Sequence, residues 1–290
     1  MFKDAKAAQL YKIRNAISSM VKYLIILIIV LAAVLLFIYI FSSSFKPISE
    51  IMTRPKFFPQ NPTLENYKTL FFSRTPSRNF PKFIANGLVV SLFTSLLSTI
   101  VAVFAAYALS RYDYPGGKTI HRSMLFAYIF PTIILLVPVY KLFTDLGLID
   151  NFVGLVLVYT SLAVPFCTWI LVSFFEAIPK ETEEAARVDG ASKWMAFIKI
   201  VLPMSAPGMV TVATYAFITA WGEYAFASVL LRGNLSKTVP LGLVDFTADQ
   251  YIEWGPLLGG SILVIIPVFL LFLPISGYFI KGFTAGALKE

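Results

Sequence analysis

An all-α integral membrane fold, with six transmembrane helices and a short helical loop between the fourth and fifth, is what this sequence predicts. Three observations carry the expectation. Hydrophobic residues make up 58% of the 290 and charged residues only 14%, where a soluble domain has about half and about a quarter. Mean hydropathy is +0.77, which puts the chain in the membrane class. The charges are also unevenly spread, leaving six long uncharged apolar windows at residues 23–45, 84–110, 123–140, 152–175, 204–222 and 255–280. A helix needs about 20 residues at about 1.5 Å each to cross roughly 30 Å of hydrocarbon. Each window meets or nearly meets that length.

Ahead of the first window, Leu10, Ile13, Ile17 and Met20 recur at helical spacing among Lys and Arg. This reads as a short amphipathic helix on the inner membrane surface. Residues 1–22 are taken as a cytoplasmic segment and 23–290 as the membrane domain. The first window's apolar run exceeds the roughly 7–15 residues of a signal-peptide core, and no A-x-A-like site follows it. It reads as a retained span.

Orientation follows Lys and Arg. With the N-terminus inside, 14 of the 24 basic residues fall on the inner side, and seven of the other ten lie in the single loop 46–82. Both termini are therefore expected in the cytoplasm of a multi-pass inner (plasma) membrane protein. The basic first outer loop departs from the pattern and fits either a solvated surface or an acidic partner.

No charged residue falls in the middle of a window, whereas ion-coupled carriers keep intramembrane carboxylates and voltage sensors keep arginines. Energy for transport is expected from elsewhere. "PGGKT" at 115–119 resembles the end of a phosphate-binding loop, but the required Gly is replaced by Tyr112. It reads as a tight turn, so no nucleotide site is expected in this chain. Neither a metal-spaced His/Cys/carboxylate cluster nor a catalytic constellation is visible; His121 stands alone, and Cys167 reads as a packed hydrophobe.

The segment after the fourth window has its own punctuation. Pro179 suits the first helical position, and Glu181, Glu183 and Glu184 suit the positive end of a helix dipole. Ala185, Ala186 and Val188 offer a small surface, and Gly190 ends the helix in a left-handed conformation. A second helix follows in which Trp194, Phe197, Ile198 and Val201 share a face, until Pro203 ends it where the next span begins.

Glu184-Ala185-Ala186, three residues, Gly190, nine residues, Ile200, one residue and Leu202-Pro203 together resemble the cytoplasmic loop of permease subunits of ATP-binding-cassette importers. "ANGLVVSLFTSLLSTIVAVFAAYALSRYDYPGGK", "FPTIILLVPVYKLFTDLGLIDN", "TVPLGL", "IEWGPLLGGSILVIIPVFLLF" and "YFIKGFTAGALKE" are similar to the carbohydrate-uptake permeases, in the smaller six-span form of the maltose type. Residues 84–290 carry the likeness best. One departure stands at Trp221-Gly222-Glu223-Tyr224, where the family often has Trp-Asn-Asp/Glu-Phe.

The resemblance implies a second homologous permease as partner, two ATPase subunits that bind the ATP and magnesium, an external solute-binding protein and a sugar substrate in a lipid bilayer, with no nucleic acid. It implies no cofactor, metal or catalytic group in this chain. The loop 177–203 would couple to an ATPase through Glu184, Ala185, Ala186, Asp189, Gly190, Ile200, Leu202 and Pro203. A secondary carrier or channel without an ATPase is the competing reading.

Asn86, Ser91, Tyr159, Thr160, Tyr215, Trp221, Glu223 and Tyr224 are polar or aromatic on otherwise apolar spans. They are candidates for the substrate path, because small-ligand sites combine aromatic faces with a few polar groups. The same residue types also hold helices together and mark membrane interfaces. An oligosaccharide leads, followed by a polyol or glycerol phosphate, and the basic first loop keeps an acidic sugar open. The outer loop 232–254 is expected to engage the binding protein, and the tail 284–290 to reach the ATPase pair.

Overall fold

The computed structural model describes residues 2–53, 56–73, 78–113, 115–234, 236–247 and 252–287. Every regular element among them is helical: α1 Phe2–Ser44, α2 Ile48–Thr53, α3 Glu65–Phe72, α4 Phe80–Arg111, α5 Gly117–Ile129, α6 Leu136–Asp145, α7 Phe152–Glu176, α8 Lys180–Val188, α9 Lys193–Ala196, α10 Leu202–Met204, α11 Ala206–Trp221, α12 Ala225–Leu230, α13 Val239–Val244 and α14 Trp254–Ala287. Four helices among the described residues are long and apolar enough to cross a membrane, or six if each of two sharply bent pairs counts as one span.

The bends correct the windows read as straight. Within residues 123–140, the segments Gly117–Ile129 and Thr132–Asp145 meet at 87°. Pro131 removes a helical N–H and forces Phe130 out of the helical region, to φ −62°, ψ 131°. At the other break, Lys193–Met204 and Ala206–Trp221 meet at 72°. The loop's second helix runs through Pro203 and turns at Ser205, one step later than expected. Its five-residue turn Phe197–Val201 is π-helical, with the Leu202 N–H bonded to the Phe197 carbonyl. The wider turn gives the Pro203 ring room and absorbs the N–H it lacks. The N-terminal segment is also not a separate helix: α1 runs unbroken from Phe2, since nothing from residue 2 to 44 is Gly or Pro. Ile17 and Met20 are exposed; the side chains of Leu10 and Ile13 lie outside those described.

The chain divides into two compact units, Met1–Lys68 with Glu253–Ile262, and Thr69–Ile252 with Leu263–Glu290. In the first, Lys46 is buried. Its Nζ donates to Ser43 Oγ (3.1 Å) and the Lys56 carbonyl (2.5 Å) and sits 5.0 Å from the Tyr39 ring centroid. Asn66 Nδ2 ties the same turn by donating to the carbonyls of Ser44 (2.7 Å) and Lys46 (2.9 Å). At Lys46, therefore, the basic loop is neither a solvated surface nor a ligand contact; the charge is held internally. Arg54 and Arg74 lie outside the described residues.

In the second unit, α4, α7 and α11 pack together. Ala102, Ala106, Ala163, Cys167, Leu171, Val212 and Ala216 form a core whose small residues let the helices approach closely. Cys167 is fully buried there, its Sγ 3.7 Å from the Val212 carbonyl. A second cluster at the Asn151 end of α7 gathers Val90, Phe143, Leu155, Val158, Phe226 and Leu230.

Candidate functional site

The loop helix α8 is fastened by a residue that the sequence placed only as a dipole partner. Glu183 is buried beneath it. Its carboxylate forms an ion pair with Arg111 Nε, the side chains being 12% and 7% exposed, and accepts from Tyr107 Oη at 2.9 Å. Arg111 Nη2 also donates to the Ile178 carbonyl at 3.1 Å. The last turn of α4 thus grips both the entry to α8 and its first full turn. A pair this enclosed resists removal of one partner strongly, because the other charge is then stranded away from water.

With Glu183 turned inward, helical geometry turns Glu184 and Ala185 outward. Both are exposed, as are Asp189 and Gly190, while Ala186 is half-buried. Val188 at the tip is 87% exposed. The helix ends at Gly190, φ +92°, through two bonds, Gly190 N–H to the Arg187 carbonyl (3.1 Å) and Ala191 N–H to the Ala186 carbonyl (2.9 Å). This is the paired-bond Schellman cap that a left-handed residue makes possible. At the other end Pro179 is the cap, one residue outside the position expected.

Ser192 caps the second helix, its side chain accepting from Met195 N–H at 3.2 Å. Of the four residues expected to share its face, Phe197 and Val201 are buried and Ile198 is exposed. Trp194 lies flat over Phe104, with centroids 6.1 Å apart and 8° between planes. Ala196 completes the buried face. The π turn shifts the register, which is why a regular 3.6 period misplaces Ile198. Ile200 and Leu202 are half-buried and Pro203 is exposed.

The substrate-path candidates scatter. Asn86 Nδ2 donates to the Lys237 carbonyl at 2.9 Å, and Trp221 Nε1 donates to the Val264 carbonyl at 2.9 Å. Tyr159 Oη donates to Glu223 Oε2 at 2.5 Å, while Glu223 also accepts from the backbone N–H of Phe226 (2.9 Å) and Ala227 (3.2 Å). Glu223 therefore caps α12. Ser91 and Thr160 are sealed inside the packed helices, and Tyr224 is exposed.

Tyr215 alone joins a group of half-open rings. Its centroid is 4.4 Å from that of Phe166, Tyr128 stacks on the same ring at 4.4 Å, and Trp169 extends the group at 6.2 Å. The sequence reading missed Tyr128, Phe166 and Trp169. The one-turn spacing of Phe166 and Trp169 after Pro165 was the available signal, but it does not reveal that α5 and α11 bring Tyr128 and Tyr215 to the same place.

Long apolar helices packed on small residues, with a helical loop held by a buried ion pair, are the architecture of a membrane-embedded subunit. The chain belongs to the family of binding-protein-dependent transport system inner membrane components, whose model matches residues 98–279. The inner membrane ABC transporter permease protein YcjP of Escherichia coli (strain K12) is 35% identical over 256 residues, 87% of this chain and 90% of that one. The trehalose transport system permease protein SugB of Mycobacterium tuberculosis (strain CDC 1551 / Oshkosh) is 32% identical over 259 residues, 89% and 93% of the two chains. A chain in the crystal structure of a bacterial ABC transporter involved in the import of the acidic polysaccharide alginate shares the fold, with a TM-score of 0.76 and 24% identity over 91% of this chain and 97% of that one. The chain is thus a membrane-embedded, non-catalytic permease subunit of an ATP-binding-cassette transporter.

Proposed function

We propose that the chain forms half of the translocation path for a sugar, paired with a second homologous permease, two ATPase subunits that bind ATP and magnesium, and an external binding protein. In this reading each bent pair is one span, giving six. Residues 23–290 form the membrane domain, residues 1–22 and both termini face the cytoplasm, and 177–203 is the coupling loop seated on an ATPase.

The observation that carries the proposal is the two-sidedness of α8. Glu183 is locked to Arg111 and Tyr107, while Glu184, Ala185, Val188 and Asp189 are left outward on a helix that cannot pivot freely. A rigid projection of this kind transmits a push from a partner into α4, and from α4 into the core it shares with α7 and α11. The sugar reading draws on the trehalose permease relative and on the rings of Tyr128, Phe166, Trp169 and Tyr215, which offer stacking faces near the middle of α7 and α11.

Sugar uptake into proteoliposomes tests this. The assembled complex should take up sugar only with ATP inside and the binding protein outside. ATP-independent uptake by this chain alone would establish the carrier reading in its place.

A further inference from the structure

Beside α8 a cavity of about 830 Å³ opens between the end of α4, the Pro115–Gly116 turn, the start of α5 and the chain from Glu176 to Lys180. Its wall carries Lys118, Arg122 and Lys180 as well as the already paired Arg111, together with two carboxylates, Asp113 and Glu176, and His121. No side chain of Lys118, Arg122 or Lys180 forms a hydrogen bond or ion pair with the described residues. The first turn of the 13-residue α5 also opens here. Its cap is Gly116 at φ +88°, with no side chain bonded to the amides, and a Cβ there would meet nothing within 4 Å. Free backbone N–H groups, a helix dipole and unpaired cations in one concave site suit a phosphate oxyanion.

We propose that this cavity holds the phosphate of an anionic phospholipid. The helix that supplies the cations also supplies a track for the acyl chain. Phe126 and Ile129 follow Arg122 on the same face of α5 at steps of four and three residues, and they are 78% and 68% exposed. A phosphate at Arg122 would therefore continue into an apolar strip one and two turns farther along. Because Arg111 and Lys180 share the wall, the bound headgroup sits against the anchor and first residue of α8 and steadies the loop. The inference rests on the proposed orientation and on α8 meeting an ATPase.

The test compares the assembled wild-type complex with K118Q/R122Q in vesicles of phosphatidylcholine, with and without phosphatidylglycerol. Binding-protein-stimulated ATP hydrolysis and co-purifying lipid are measured. Phosphatidylglycerol should raise wild-type hydrolysis and leave the variant unchanged, and with two cations neutralised, at about five-fold each, the variant should retain about 25-fold less phosphatidylglycerol. If inorganic phosphate added to neutral vesicles reproduces the rise in the wild type alone, the site stands with soluble phosphate as its source. An equal rise in the variant overturns the site. So does an equal loss of hydrolysis in both vesicle types, since the cations would then be meeting the ATPase. A wild-type complex inactive in every vesicle counts against the proposed function; an active one with variant-independent lipid response counts against this site alone.

Discussion

Two carboxylates in the second unit each accept a hydrogen bond from a tyrosine on another helix, and they do opposite things. Glu183 meets Tyr107 and the cation Arg111, and the helix carrying it presents its other side outward. Glu223 meets Tyr159 and the backbone N–H groups of Phe226 and Ala227, so its bonding capacity is used in fastening α12 to α7. The first is an anchor that leaves its neighbours Glu184 and Ala185 exposed. The second has its oxygens engaged by Tyr159 of α7 and by the start of α12. Side-chain type does not distinguish them; what the oxygens already touch does.

The comparison can be broken most sharply at Glu183. E183A strands Arg111 in an enclosed site, so a loss of about 3–5 kcal/mol in stability is expected, read as a lowered unfolding midpoint in detergent. Replacing Arg111 and Glu183 together by apolar residues should recover much of it, since no charge is then stranded. A double variant as unstable as E183A would show that the pair is not the anchor.

Glu223 gives the next effect. E223A leaves a buried Tyr159 hydroxyl and two helix-end N–H groups without an acceptor, which costs about 1–3 kcal/mol. Transport should fall only in proportion to folded protein. A large drop in turnover at unchanged midpoint would return Glu223 to the substrate path. G190A comes third: at φ +92° a side chain costs about 1–2 kcal/mol, and the effect should appear in stimulated ATP hydrolysis more than in the midpoint.

Far from α8, Asp150 offers a smaller test. Its carboxyl is held below the ordinary range chiefly by the backbone N–H of Gly233, with help from that of Arg232 and against some desolvation. A depressed folded value means that the contribution is complete above the unfolded value of about 3.9 and is lost as pH falls through the folded one. D150N should therefore flatten the acid side of the midpoint-versus-pH curve and leave the neutral side nearly level. An acid limb as steep as the wild type's would show that Asp150 is not the latch between the 150 and 232 loops.

The parts legible in the sequence were those governed by local chemistry. Composition marked the apolar windows, and Gly190 between two short periodic runs marked the break in the loop. Pro131 was equally visible, yet window length hid its consequence, a right-angled turn. The Arg111–Glu183 pair joins residues 72 apart, and no local period links them. Likewise Asn86 and Trp221 read as ligand candidates because their types fit. Their hydrogen bonds to the Lys237 and Val264 carbonyls belong to packing that the sequence alone does not display. Within the loop 232–254 lie α13, over the apolar run Val239–Val244, and a pair between Lys237 Nζ and Asp245 at 2.6 Å. Residues 248–251 and 288–290 lie outside the described residues, as do the side chains of the tail.

The central claim is that Glu183 holds α8 while Glu184 faces a partner. The most direct test is one experiment on adjacent residues, measuring the unfolding midpoint and binding-protein-stimulated ATP hydrolysis of the assembled complex for E183A and E184A side by side. E184A should keep its stability within about 0.5 kcal/mol of wild type and lose most of the stimulation, while E183A loses stability. An E184A complex that is destabilised, or that is stimulated as fully as the wild type, would contradict that claim.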